Sequence, residues 1–129
     1  QKKSFTKTMF ALSNTAGDLL LYQRPGVGIW PKLWCLPIQE ELEETFAGAM
    51  AKATGGVSAQ SYGPYKHVFT HQVWHYHVLH YVLDQEFALP EGYQWCDQER
   101  LRQYAFPAPI SEWISSIFLP MISPETIRE

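Results

Sequence analysis

Apolar residues recur along this chain with two periods, and the switches between them mark its elements. Residues 5–12 alternate imperfectly between apolar and polar positions and run into Ser13-Asn14-Thr15-Ala16-Gly17-Asp18, a turn-rich cluster. Residues 19–23 then resume as an apolar run. A period of two sends successive side chains to opposite faces of a sheet, so the pair predicts a β-hairpin. Residues 24–37 break every period: three prolines, two glycines and two tryptophans in fourteen positions exclude a regular helix and brace a loop. Residues 34–38 are apolar again and short enough for a strand.

The clearest helical period begins at Glu40. Glutamates at 40, 41, 43 and 44 read as its first turn, where the macrodipole favours anions. Leu42, Phe46, Ala49, Met50 and Ala53 then share one face, and Gly55-Gly56 is the stop. From 61 to 83 aromatic and β-branched residues dominate, with a break near Gly63-Pro64 and a polar interruption at Thr70-His71-Gln72. This predicts two strands joined by a tight turn, residues 73–83 being the longest strand of the chain. A loop over 84–92, a short strand over 93–96 and a helical turn over 97–103 capped by Asp97 follow. Pro109 then opens an amphipathic helix through Ile110, Trp113, Ile114, Ile117 and Phe118, with Pro120 as its end. This order of elements is α+β or a mixed α/β sandwich.

At 129 residues, 46% hydrophobic, the chain is long enough to bury a core as one domain without disulfide or metal staples. Two cysteines, Cys35 and Cys96, are too few for a disulfide framework or an iron–sulfur cluster and read as reduced core thiols. No segment has the length or apolarity of a membrane span or signal peptide. The opening residue is Gln1, which suggests a piece of something longer. The net charge of -3 argues against a global basic field, yet the carboxylates are unevenly placed: none occurs from 19 to 39 or from 45 to 83. Those segments hold Arg24, Lys32, Lys66 and all five histidines, so an anionic partner would meet little repulsion on a face built from them.

Four constellations are candidates for chemistry. His67, His71, His75, His77 and His80 crowd into fourteen residues, and on a strand His71, His75 and His77 share a side. His-x-His is a spacing metals use, but the set lacks a third ligand, so a half-wet strand face competes with a metal site. Phe69-Thr70-His71 puts a hydroxyl and an imidazole at a turn tip, either for a flat polar ligand or as a turn that satisfies its own backbone. The helix after the short strand invites comparison with a Nudix box, whose glutamates bind magnesium for diphosphate hydrolysis. Here the corresponding positions hold Gly48, Ala49, Met50, Lys52 and Ala53, which offer magnesium no hard oxygen ligand. Trp30 and Trp34 either cap a core or stack on bases.

Several of these stretches together resemble one family. Leu19-Leu20-Leu21-Tyr22-Gln23-Arg24-Pro25, Gly28-Ile29-Trp30, Leu33-Trp34, Leu36-Pro37, His67-Val68-Phe69-Thr70-His71 and Tyr104-Ala105-Phe106-Pro107 are similar, in order, to the C-terminal domain of MutY-type adenine DNA glycosylases. The resemblance spans nearly the whole chain. It implies a Nudix-like fold, a mixed sheet with two main helices, that has lost hydrolase chemistry and recognises 8-oxoguanine opposite adenine in double-stranded DNA. It also implies that residues 1–129 form a single domain with a core of about 5–119. Catalysis and an iron–sulfur cluster would belong to a helix–hairpin–helix domain absent from this stretch and packed in cis. The fragment itself would carry no enzyme activity, cofactor or metal, and the parent would be a cytoplasmic, nucleoid-associated bacterial adenine glycosylase.

Carried over by motif, the lesion-reading turn is Phe69, Thr70 and His71, with Thr70 where the family has serine. Arg24, Lys32 and Lys66 are the candidates for DNA phosphates. Pro31 stands where the family usually has glycine, which removes one N–H from that loop. The competing functions are a Nudix-type nucleotide pyrophosphohydrolase and a protein-interaction domain.

Overall fold

In the computed structural model, which describes residues 1–123, the β-branched and aromatic runs become one six-stranded mixed sheet. β1 (Lys3–Asn14) and β2 (Leu19–Gln23) are antiparallel across the turn, in register at Ser13 and Leu19. The hairpin expected from the sequence is therefore present, but it is brief. Beyond that pair, residues 34–38 wedge in between: β3 (Trp34–Cys35) sets Cys35 beside Tyr22, and Ile38 bridges to Met9. The strand expected over 34–38 is cut to two residues and a bridge.

The principal partner of β1 is distant in sequence. β5 (Gln72–Leu83) runs parallel to it for its whole length, from Lys3 beside Gln72 to Asn14 beside Leu83. β4 (Gln60–Val68) folds back antiparallel on β5, and β6 (Tyr93–Cys96) pairs with β2 at the other side. The expected break at Gly63-Pro64 is a bulge inside β4, where the pairing skips between Tyr62 and Tyr65. Gly63 adopts φ +113, and a Cβ there would stand 3.0 Å from the Tyr76 carbonyl oxygen and 3.1 Å from the Tyr65 nitrogen. Both neighbours are backbone and cannot yield, so Gly63→Ala is expected to cost about 1–3 kcal/mol, measured as a lowered urea midpoint. An unchanged midpoint would mean that the bulge relaxes freely.

Helices cover both faces. α1 (Glu44–Thr54) buries Phe46, Met50 and Ala53 against Leu12, Leu20 and Leu83. It starts later than its glutamates suggest: Gln39–Glu41 is a single 3-10 turn, Leu42 is extended, and the Glu43 side chain caps the helix by accepting from the Phe46 N–H at 2.8 Å. Only Glu44 lies in the first turn. Gly55 closes the helix as expected. α2 (Gln98–Gln103) has the predicted Asp97 cap, which accepts from the Arg100 N–H at 3.0 Å. α3 (Ala108–Trp113) packs on the opposite face of the sheet, where Ile110, Trp113, Ile114 and Phe118 join Met9, Leu21, Trp74 and Val78 in the larger core. Pro120 does not end this helix. A wide turn over Ile114–Phe118 carries the chain into α4 (Leu119–Ile122), since bonds that skip an extra residue accommodate the N–H that proline lacks.

Both cysteines are free and buried. No helix among the described residues is long and apolar enough to cross a membrane.

Candidate functional site

The irregular stretch 24–37 owes its path to a polar knot at its root. Arg24 is only 8% exposed. Its Nε donates to the Ile29 carbonyl at 2.8 Å, and its two terminal nitrogens reach the Glu41 carboxylate at 3.0 and 3.4 Å. The Tyr22 hydroxyl lies within the same cluster, accepting from Arg24 and donating to Glu41 at 2.7 Å. Burial pushes the Tyr22 phenol well above its ordinary range and the Cys35 thiol beside it up to about 12. Burial alone would lower the Arg24 guanidinium, but Tyr22 and Glu41 together hold it above its usual value. Backbone bonds finish the brace: Arg24 N–H to Leu33 at 2.8 Å and Lys32 N–H to Pro25 at 2.9 Å. Two side-chain-bearing residues, Trp30 at φ +52 and Lys32 at φ +63, are held in the left-handed region. Such positions cost about 1–3 kcal/mol and persist only where the surroundings impose them.

What imposes Trp30 is the hairpin between β4 and β5. Its indole packs 5.3 Å from the Phe69 ring, 5.3 Å from Trp74 and 5.5 Å from His67. Phe69 meets Trp74 at 5.0 Å and His67 at 4.6 Å, both edge-on. Such edge-to-face rings form a stiff platform. Above it the chain turns in two residues, Thr70 and His71, closed by the Phe69 N–H on the Gln72 carbonyl at 2.8 Å. Neither Thr70 nor His71 has a positive φ, as the β-branched threonine requires. Both side chains are exposed.

The loop tip and the turn enclose a cleft of about 280 Å³, with residues 28–30 as one wall and residues 69–72 as the other. Among the described residues no carboxylate lines it. It presents a hydroxyl, an imidazole and a carboxamide over aromatic rings, a set suited to a flat ligand with donors and acceptors at its edge. Phe69, Thr70 and His71 are thus brought together. Arg24 is a correction: expected at a phosphate, it is buried and committed to Glu41 and the loop backbone, because its position at the loop root faces the interior. Lys32 is exposed but lies outside the cleft, and Lys66 is exposed on β4. The alternation of the strand sends Lys66 to the side of the hairpin opposite His67. His71 leaves the strand altogether at the turn, so only His75 and His77 share an exposed strand face. His80 is buried, 2.8 Å from the Ser13 hydroxyl, and burial lowers its pKa.

The sequence reading missed His67, Gln72 and Trp74 as members of the site. Gln72 Oε1 accepts from Trp74 Nε1 at 2.7 Å. An i, i+2 pair on a strand was the available signal, legible for His67 with Phe69 and for Gln72 with Trp74. The contact of Trp30 with them has no signal in sequence.

The donor set for the magnesium of Nudix hydrolases does not fit here. After Glu44, α1 carries no carboxylate, Glu41 is engaged by Arg24, and Glu43 caps the helix. Among the described residues no cluster of three or more His, Cys, Asp or Glu is placed to hold a metal ion.

A mixed six-stranded sheet between helices, with a helix entered from a Gly/Pro-braced loop and short strand, defines a Nudix-type domain. The chain belongs to that family: the model of the NUDIX domain matches residues 8–116. Among solved structures it is similar to the C-terminal domain of mouse MUTYH, solved in complex with human PCNA. That match has 20% identity over 85% of this chain and 84% of that one, with a TM-score of 0.62. It is similar also to the MutT protein of Methanosarcina mazei Go1, at 19% identity over 89% and 93% with a TM-score of 0.62. The NUDIX domain of Shewanella oneidensis NrtR, solved with ADP ribose, matches at 12% identity over 89% and 86%, TM-score 0.61. At these identities the likeness shows the fold alone. A comparison with curated proteins finds no significant match.

Proposed function

We propose that this Nudix domain is a DNA-repair module that reads 8-oxoguanine opposite adenine and supports adenine excision performed by a separate catalytic domain of the same protein. The observation that carries the reading is the exposed, carboxylate-free cleft in which Thr70 and His71 stand over the Trp30–Phe69–Trp74 platform. The MUTYH neighbour supports it at the level of fold, and the magnesium-poor donor set of α1 weighs against nucleotide hydrolysis.

The chemistry of the lesion suits these groups. Guanine N7 accepts a hydrogen bond in the groove, whereas 8-oxoguanine has a proton on N7 and an oxygen on C8. The Thr70 hydroxyl accepts from that N7–H, and the exposed turn supplies a donor for O8. Opposite an undamaged guanine the hydroxyl must turn to donate to N7, and the donor aimed at O8 is left without its acceptor, a difference on the order of 1–3 kcal/mol. Reading the partner base helps offset the few kcal/mol that extruding the adenine costs.

Thr70→Ala in the full-length protein is expected to reduce the preference for adenine opposite 8-oxoguanine over adenine opposite guanine by about tenfold, whereas Thr70→Ser should retain it. Excision rates on the two duplexes measure the ratio, and an unchanged ratio for Thr70→Ala would sink the assignment. The hydrolase reading has its own measurement: pyrophosphate released from an oxidised nucleotide by this chain with magnesium would support it, and none is expected.

A further inference from the structure

We propose a second nucleic-acid surface, a phosphate track on the half of the sheet that α1 leaves bare. This rests on the reading of the domain as a DNA-facing module. α1 covers one face of the sheet only at the Leu12–Leu20–Leu83 end. Toward the Thr70 turn the same face is open, and the register sets its side chains in rows: Thr6 beside His75 beside Lys66, then Thr8 beside His77. Thr6, His75, His77 and Lys66 are exposed and Thr8 is half-exposed.

The charge pattern selects the occupant. The protein has 13 acidic residues, yet β1, β4 and β5 contain none, so these three adjacent strands put no carboxylate of their own on the open face. A surface shaped only for water mixes both signs. Glu40, a carboxylate bonded to β1, engages Lys7, whose ammonium sits over the Trp74 ring on the opposite face of the sheet. The bare face offers an ammonium, two imidazoles and two hydroxyls. All of these donate to phosphate oxygens, the imidazoles in either protonation state. Among the described residues, Val68 is the one exposed large apolar side chain that borders it, too little for an apolar partner to dock on. The face adjoins the lesion-reading turn: β5 begins at Gln72, directly after the turn, and carries His75 and His77 away from it at about 3.3 Å per residue. Double-stranded DNA whose lesion lies at Thr70 would pass its flanking backbone along this track.

The test is a salt series of binding titrations on this chain, using a duplex with 8-oxoguanine opposite adenine and an undamaged duplex of the same sequence. Lys66→Ala is expected to weaken both duplexes equally and to reduce the slope of log affinity against log salt by about 1. His75→Ala with His77→Ala, which removes both donors, should weaken both several-fold, with little change in the thermal midpoint since both positions are exposed. Thr70→Ala should alter only the ratio between the duplexes. If these track variants keep the parent affinity and slope while Thr70→Ala still removes discrimination, the track is wrong and the lesion reading stands. If the unaltered chain binds neither duplex, the track is overturned, while the lesion reading is decided by the excision ratio of Thr70→Ala in the full-length protein.

Discussion

Trp74→Ala is expected to lower the unfolding free energy by about 3–5 kcal/mol, against the ~5–15 kcal/mol that a domain of this kind possesses. Trp74 is 2% exposed and is the floor on which three parts of the chain meet. Trp30 from the loop and Phe69 from the turn pack on it at 5.3 and 5.0 Å, and the Lys7 ammonium lies 4.7 Å from its ring. Truncation removes the ring, leaves a cavity beneath both walls of the cleft, and frees Gln72 from its 2.7 Å bond to Nε1. The energetic and functional effects should therefore appear together: a lowered urea midpoint with unchanged slope, and lost discrimination between damaged and undamaged duplexes at temperatures where the variant is still folded. Trp74→Phe keeps most of the packing and should retain most of the stability. A loss below about 1 kcal/mol for the alanine variant would mean that the surrounding rings collapse into the space.

Arg24→Leu should rank second, at about 2–3 kcal/mol. Breaking a buried ion pair by removing one partner costs about 3–5 kcal/mol because the remaining charge is stranded, but the Glu41 side chain is 34% exposed and recovers part of its hydration. The double variant Arg24→Leu, Glu41→Leu should regain part of the loss, since no charge is then left behind. The loop adds a local effect. Without the Nε bond to the Ile29 carbonyl, Trp30 is held at its positive φ by the rings alone, so proteolysis within residues 24–37 should accelerate more than global stability predicts. Equal sensitivity of the single and double variants would show that the loop contact, and not the stranded charge, carries the cost.

Much of the fold is legible along the chain because it depends on local rules. Period two in residues 73–83 and the helical face of Phe46, Met50 and Ala53 reflect side-chain directions that any strand or helix imposes. The Asp97 cap and the Gly55 stop follow from hydrogen bonding within one turn. Errors arise where a neighbour in space overrides a local preference. The acidic cluster at 40–44 reads as a first turn, but Glu41 is drawn away by Arg24 and Glu43 becomes the cap. Pro120 reads as a stop, but a wide turn just before it lets the helix pass. Arg24 reads as a surface cation because sequence shows its charge and not its burial.

The stretch from Arg24 to Pro37 and the turn at Thr70 illustrate the division. By itself the sequence determined that the first is a braced, aromatic loop and that the second is a tight polar turn between strands, since glycine, proline and β-branched residues constrain φ and ψ wherever they stand. It determined also that carboxylates are missing from both. Only the tertiary structure decided that Trp30 reaches across to Phe69 and Trp74, that the two stretches form one cleft, and that Lys66 joins His75 and His77 on the far side of the hairpin. The contacts of Trp30 join residues some forty positions apart, set by the parallel pairing of β1 with β5 and by the knot at Arg24, whereas Lys66 meets His75 through the register of the β4–β5 hairpin. No local propensity encodes such a meeting, because its free energy exists only once the sheet has brought the partners together.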